Sequence, residues 1–534
     1  MPVPRRHRCI GAVLASLLIT SAARGVPAHA AEVLEIRLDG LHLPIRLDQL
    51  EAWSDRSARI SQAAREGREV GVWLDLLEPE SRNALAELLG APLLRDRSFG
   101  RQLLDSWAGG PMLTEVGGLL TTPNGESTTS LLQVTLRLLL EQRREVTAIE
   151  LLQALPVPRL SLQLDHLISL AEQWRRQLDQ QRLAMRRLRS FSLPRQPGRP
   201  RANGAISTVR PRHQGLVVAH RAERLPLTIW LPRPPATPAA VGRPWILMMP
   251  GLGGDADHLS WLAAALAEGG WPVVVVQHPG SDAAALRSSL EGLSPPPGAE
   301  TLAVRLADAE AVLAAQRRGV LGPHGNGVVL MGHSLGGVTA LLAAGLPPEP
   351  GRERRCRRAL NRLPITNPSR LLQCQLSEGQ LPRASARPPD LRGVVLLNGF
   401  GSLLWPRRAL APLAVPVLVT GGSLDLVTPP LEEQLDLFLP PGDPRSRLVL
   451  VEGGSHFSPV RLSDPEESLF RLTNELVGAD PAAVQALLLQ LTTDFLQTLE
   501  QPRAFPAQRR SQGGVTAYVL DPPAARRWRG GLGR

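Results

Sequence analysis

The stretch from Asn326 to Ala344 constrains this chain more than any other. The apolar run Val328-Val329-Leu330-Met331 gives way to Gly332-His333-Ser334-Leu335-Gly336-Gly337 and then to a segment rich in alanine and leucine. That order predicts a buried strand, a tight turn and a helix. The Gly-x-Ser-x-Gly spacing has a mechanical reason: the turn is so sharp that side chains two residues either side of the serine would collide, so Gly332 and Gly336 are needed there. The same turn lifts the Ser334 hydroxyl out of the sheet. It also aims the N–H of Leu335 and the amino end of the helix at the space above the serine, where negative charge would gather on an attacked carbonyl.

A serine hydroxyl is a poor nucleophile at neutral pH, so this reading requires a histidine base and a carboxylate to orient it. The strand-like run Val415-Pro416-Val417-Leu418-Val419-Thr420 ends in Gly421-Gly422-Ser423-Leu424-Asp425. Leu448-Val449-Leu450-Val451-Glu452 ends in Gly453-Gly454-Ser455-His456. Asp425 and His456 thus each follow the carboxyl end of an expected strand, the edge where parallel sheets gather their active sites. His333, although beside the nucleophile, is expected to point into the fold and take no part. A second oxyanion donor is expected from Leu252, paired with Leu335, because the strand Trp245 to Pro250 runs into Gly251-Leu252-Gly253-Gly254, a loop able to bring a backbone N–H close to a ligand. No Gly-Lys-Ser/Thr follows these glycines and the G-x-G-x-x-G spacing is missing, which argues against nucleotide binding.

Pro250 to Gly254, His278-Pro279-Gly280-Ser281, Gly332 to Gly337, Asp425 and His456 together make residues 215–501 resemble a serine α/β-hydrolase. Within that fold the chain is similar to the platelet-activating-factor acetylhydrolase group of lipid esterases. The dienelactone hydrolases share the scaffold but use cysteine as nucleophile, and this chain has serine. The resemblance implies hydrolysis of a carboxylic ester in a small oxygen-ester or acyl-lipid substrate, on a doubly wound, mostly parallel sheet, with no metal or organic cofactor. The alternatives are an esterase for small soluble esters or polyesters, and a non-catalytic lipid-binding protein on the same fold.

At 534 residues the chain is too long for one ordinary domain. Its net charge of +11 would suggest a nucleic-acid partner. The sequence contains no lysine, however, so its positive charge is all arginine, which points to coding bias, and the charge sits at the ends. Arg5, Arg6, Arg8 and Arg24 give +4 before residue 31, and seven arginines against Asp521 give +6 after residue 501, so about +1 remains for everything between. No nucleic-acid partner is therefore expected. The basic Arg5 to Arg8, the apolar run Ile10 to Thr20 and Ala28-His29-Ala30 read as a secretory signal over residues 1–30, cleaved after Ala30, which predicts a periplasmic or extracellular protein. Of the two cysteines then remaining, Cys356 and Cys374 are a pairing candidate in an oxidising compartment.

Alternation about Asp39-Gly40 predicts a hairpin over Val33 to Leu47. Helical spacing follows at Glu80 to Leu89, Ser98 to Trp107, Ser127 to Gln142, Val146 to Leu155 and Ser161 to Leu188, separated by breakers such as Gly109-Gly110-Pro111. Residues 31–190 therefore read as a mostly helical domain with an N-terminal β-hairpin. Its hairpin, the stretch Leu119 to Gly125 and Leu155-Pro156 resemble a domain of unknown function found ahead of bacterial α/β-hydrolase domains, a resemblance that implies no activity; a lid, a lipid-docking surface and a packing partner all remain open. Residues 191–214 read as an Arg/Pro-rich linker. Within the hydrolase domain, 347–389 reads as a cap-like insertion carrying both cysteines and Arg352, Arg354, Arg355, Arg357 and Arg358, a solvated face or an anionic head-group site. Residues 502–534 read as a basic flexible tail, able to make peripheral contact with an anionic membrane.

Overall fold

The computed structural model describes residues 30–58, 86, 89–90, 92–94, 97–107, 109–143, 145–198, 209–232, 242–322, 325–360, 366–461, 480–501 and 503–532. The expected signal and most of the expected helix Glu80 to Leu89 lie outside them. Two compact units result, Met1–Leu104 with Gly109–Ser169, and Asp105–Ala108 with Leu170–Arg534.

The first unit opens with the strands β1 (Val33–Leu38) and β2 (Leu41–Arg46), paired antiparallel around Asp39 and Gly40, both at positive φ. Two successive residues at φ > 0 are what a type I′ turn needs, so the Asp-Gly dipeptide explains the hairpin. Short strands follow: β3 (Pro92–Leu94), β4 (Leu120–Thr121), β5 (Val146–Thr147) and β6 (Arg159–Gln163). β6 pairs parallel to β1, which enlarges the hairpin into a four-stranded sheet in the order β2-β1-β6-β4. Gly109-Gly110-Pro111, expected to separate helices, follows the end of the helix Arg97–Leu104 and itself begins a further helix, Gly109–Leu119, since proline is tolerated in the first turn where its missing N–H has no partner to lose. The expected helix Ser161 to Leu188 is a strand through Gln163 and a helix Leu164–Ser190 after it.

In the second unit, β7 (Arg195–Pro197), β8 (Pro211–Leu216), β9 (Leu225–Trp230), β10 (Trp245–Met249), β11 (Val273–Val276), β12 (Val328–His333), β13 (Leu391–Leu397), β14 (Val417–Gly422), β15 (Arg447–Val451), β16 (Gln508–Gln512) and β17 (Val515–Leu520) form one sheet. Their order is β7-β16-β17-β15-β14-β13-β12-β10-β11-β9-β8. The central strands β11, β10, β12, β13, β14 and β15 are parallel, with antiparallel strands flanking them. Buried on both faces, these strands read as continuous apolar runs whose alternate residues serve opposite cores. Leu247 and Leu330 pack with the helices Leu302–Arg317 and Leu335–Ala343, whereas Ile246 and Val329 pack with Ser260–Glu268 and Pro481–Glu500.

Three expectations about domain limits are corrected. The residues 502–534, read as a flexible tail, instead supply the hairpin β16–β17, turned at Gly513-Gly514 and paired through β17 with β15. A helix Pro522–Gly531 follows, capped by Asp521 and anchored by the buried Trp528, whose Nε1 donates to Ala184 O at 3.2 Å. The physical reason is plain in Val515 to Leu520, a β-branched and aromatic run whose burial outweighs the surrounding charge. The residues 191–214, read as a linker, contribute β7 and the start of β8. The boundary expected near residue 190 falls at Ser169, because Ala184, Met185 and Leu188 of the helix Leu164–Ser190 pack into the core of the second unit.

Candidate active site

Ser334 stands between β12 and the helix Leu335–Ala343 at φ 51°, ψ −120°. A non-glycine residue in that region carries strain of about 1–3 kcal/mol and persists only where its surroundings dictate it. Here the Ser334 N–H donates to Leu397 O at 3.0 Å and its carbonyl accepts from Gly337 N at 2.8 Å. The glycines are steric necessities. A Cβ on Gly332 would lie 2.1 Å from Gly336 O, and one on Gly336 would lie 2.2 Å from Met249 O. A Cβ on Gly251 would meet Ser334 Cβ at 3.2 Å, so the loop after β10 lies directly against the serine. Leu252 is on that loop, half-buried against the core, and Leu335 is the first residue of the helix behind Ser334.

Asp425 and His456 are brought together. Asp425 follows β14 and His456 follows β15, and His456 Nδ1 lies 3.0 Å from Asp425 Oδ2 and 3.2 Å from Oδ1. Both residues are buried. The carboxylate also accepts from Asn398 Nδ2 at 2.7 Å, Val427 N at 3.0 Å, Thr428 N at 2.7 Å and Thr428 Oγ1 at 2.6 Å. Burial by itself raises the Asp425 pKa, but the His456 ring and the Thr428 donors outweigh it and hold the group below its ordinary value. An ionised carboxylate can only accept, so Nδ1 of His456 donates to it, and Nε2 is the ring nitrogen turned away from that bond.

His333 is buried and points back at the same loop. Its Nε2 donates to His456 O at 3.0 Å, and the two rings are 5.0 Å apart. Burial, with the His456 ring beside it, pushes the His333 pKa down to about 3, so it stays neutral and holds the His456 backbone. The backbone contact places His456 next to the residue that precedes Ser334.

Beneath the loops after β10 and β11 lies a buried charged cluster. Arg305, on the helix Leu302–Arg317, donates to Pro250 O and, at 2.7 Å, to Ser281 Oγ. Three residues on, Asp308 accepts from Arg221 Nε and Nη2 at 2.6 Å each and lies 2.8 Å from His278 Nδ1 and from His220 Nε2. Burial and the Arg305 charge push the His278 pKa down to about 3. Burial raises the Asp308 pKa, but Arg221 and the histidines more than offset this and leave it at about 2. The Gly253 N–H donates to Ser281 O at 2.8 Å, which ties the expected oxyanion loop to this cluster.

In the insertion, Cys356 and Cys374 form a disulfide joining the helices Arg352–Leu360 and Ser369–Gln375, with Cα atoms 5.5 Å apart. Two of its arginines serve backbone carbonyls. Arg352 donates to Gln373 O and Leu376 O, and Arg355 to Glu349 O, Pro350 O and Leu403 O. Among the described residues no group of three His, Cys, Asp or Glu side chains could hold a metal ion.

Sequence reasoning missed Asn398 and Thr428, which bond the Asp425 carboxylate, and Gln434, which bonds Thr428. Gln434 Nε2 donates to Thr428 Oγ1 at 3.2 Å and to Gly399 O at 2.5 Å. Asn398 left a signal, an isolated polar residue at the end of an apolar strand, but nothing local says what it faces.

Residues 246–471 match the family model described as "Alpha/beta hydrolase family", and residues 30–163 match one described as "Alpha/beta hydrolase of unknown function". No curated protein matches the chain. Sheet order, strand–turn–helix elbow and family model agree: the chain carries an α/β-hydrolase domain, behind a leader of the second described kind, and this supports a hydrolase.

Proposed function

We propose that the protein is an exported serine hydrolase of carboxylic esters, acting on lipid or lipid-like substrates through an acyl-enzyme. The observation that carries this reading is the strained Ser334 elbow beside a buried Asp425–His456 pair bonded at 3.0 Å. In the first half-reaction Ser334 Oγ bonds to the acyl carbon, its proton passes to His456 Nε2, and the C–O bond to the alcohol breaks as that proton is handed to the leaving oxygen. Water repeats the sequence and releases the acid. The Leu252 and Leu335 amides would receive the oxyanion each time. Half-buried Leu252, exposed Leu424 next to Asp425, and Phe457 with its ring 5.3 Å from that of His456 favour an apolar substrate.

The test is hydrolysis of p-nitrophenyl esters of graded chain length by the mature protein and by Ser334→Ala. Turnover that rises with acyl length and falls about 10³-fold or more in the variant is expected. Full activity in Ser334→Ala would overturn the mechanism. Equal turnover of acetyl and long-chain esters would overturn the lipid preference.

A further inference from the structure

The end of β13 bonds Ser334, Asp425 and the residue before His456. Leu397 O accepts the N–H of Ser334 at 3.0 Å. The next residue, Asn398, directs Nδ2 at Asp425 Oδ2 at 2.7 Å and at Ser455 O at 3.2 Å, the carbonyl immediately before His456. Both neighbours are acceptors, so the carboxamide must present its NH2 to them, one N–H for each. One side chain therefore spans from the acid to the loop that carries the base. Its own backbone is fixed: Asn398 N donates to Thr420 O at 2.9 Å, and its φ is 47°. That conformation is uncommon for a residue with a side chain, although asparagine tolerates it better than most. Asn398 is 2 % exposed, so these bonds are shielded from bulk solvent.

We infer that Asn398 is a positioning residue for the Asp425–His456 pair, an inference that rests on the serine-hydrolase reading above. Its NH2 group sets the distance between the Asp425 carboxylate and the His456 backbone, and β13 carries that setting to Ser334 through Leu397. Packing alone would require only a group of the right volume at position 398. A gauge requires a donor aimed at two acceptors. The substitution that separates the two is Asn398→Asp, which keeps shape and the tolerance for positive φ while replacing the donor by an acceptor. A second carboxylate then faces Asp425, and two such groups hold protons more tightly than one.

The experiment measures kcat and KM of wild type, Asn398→Asp and Asn398→Gly across pH on one chromogenic ester, with thermal unfolding of each. For Asn398→Asp, kcat is expected to fall about 10- to 100-fold with KM within about twofold. The acid limb of its kcat/KM profile is expected about one pH unit higher, because a proton held by the imidazole or shared between the carboxylates must leave before catalysis. Asn398→Gly relieves the backbone and loses the donor, and is expected to lose kcat without that shift in the limb. If Asn398→Asp fails to fold, Asn398→Gly decides the matter by its kcat. Variants that fold and keep the wild-type kcat and pH profile overturn the positioning role. Wild type inactive on every ester would instead overturn the reading on which it rests, and the two failures are thus distinct.

Discussion

At the scale of single residues, this site is built from positions where only one side chain will do. Ser334 and Asn398 both sit at positive φ, and both are held there by backbone bonds across neighbouring strands. Gly336 is the sharpest case. Its missing Cβ would stand 2.2 Å from Met249 O and 2.6 Å from Pro250 O, both rigid backbone atoms at the end of β10. Gly336→Ala is therefore expected to force β10 and the helix Leu335–Ala343 apart, at a cost of about 1–3 kcal/mol. Because Pro250 leads into the loop that holds Leu252, the proposed esterase activity should fall further than stability. Calorimetry beside a kinetic assay checks this, and an alanine variant with wild-type melting temperature would mean that the close approach is not required.

At the scale of elements, legibility tracked how local the determining physics is. The parallel strands were readable because burial on both faces leaves continuous apolar runs, and the elbow because its glycines answer a local collision. Asp425 and His456 were readable as candidates because each follows such a run. β6 was not, since Arg159 to Gln163 becomes a strand only by pairing with β1 more than a hundred residues earlier, and helical spacing continued through it. β16 and β17 were obscured by the arginines around them, although Val515 to Leu520 carried a strand pattern. Asn398 illustrates the harder limit: its partners Asp425 and Ser455 are set by the register of three strands, which no local pattern encodes. The insertion gives this scale its own test. The Cys356–Cys374 bridge closes a loop with a sequence separation of 18. Removing it with a double serine variant should cost about 3 kcal/mol by loop entropy, read as a lower denaturation midpoint. Thiol titration of the unreduced protein should find no free Cys356 or Cys374, and two reactive thiols would contradict the bridge.

At the scale of the whole molecule, the charges that matter to stability are the ones withdrawn from water. His278 and His333 are buried on opposite sides of the loop after β10, and each has its pKa pushed from 6.5 down to about 3, chiefly by burial. In the unfolded chain both rings take up protons below about pH 6.5, whereas the folded protein keeps them neutral until about pH 3. The unfolded state thus binds more protons throughout that window. Stability is full above pH 6.5 and drains away as the pH falls, by about 2 kcal/mol per histidine at pH 5. Asp308 adds to the same trend lower down, because its folded pKa of about 2 lies beneath the ordinary 3.8. Acid sensitivity should therefore begin well above the carboxylate range. Urea unfolding at pH 7 and pH 5 measures it, and His333→Gln, which cannot titrate, should shrink the difference by about half. A wild-type midpoint that is unchanged between the two pH values would show that the buried rings are not held neutral.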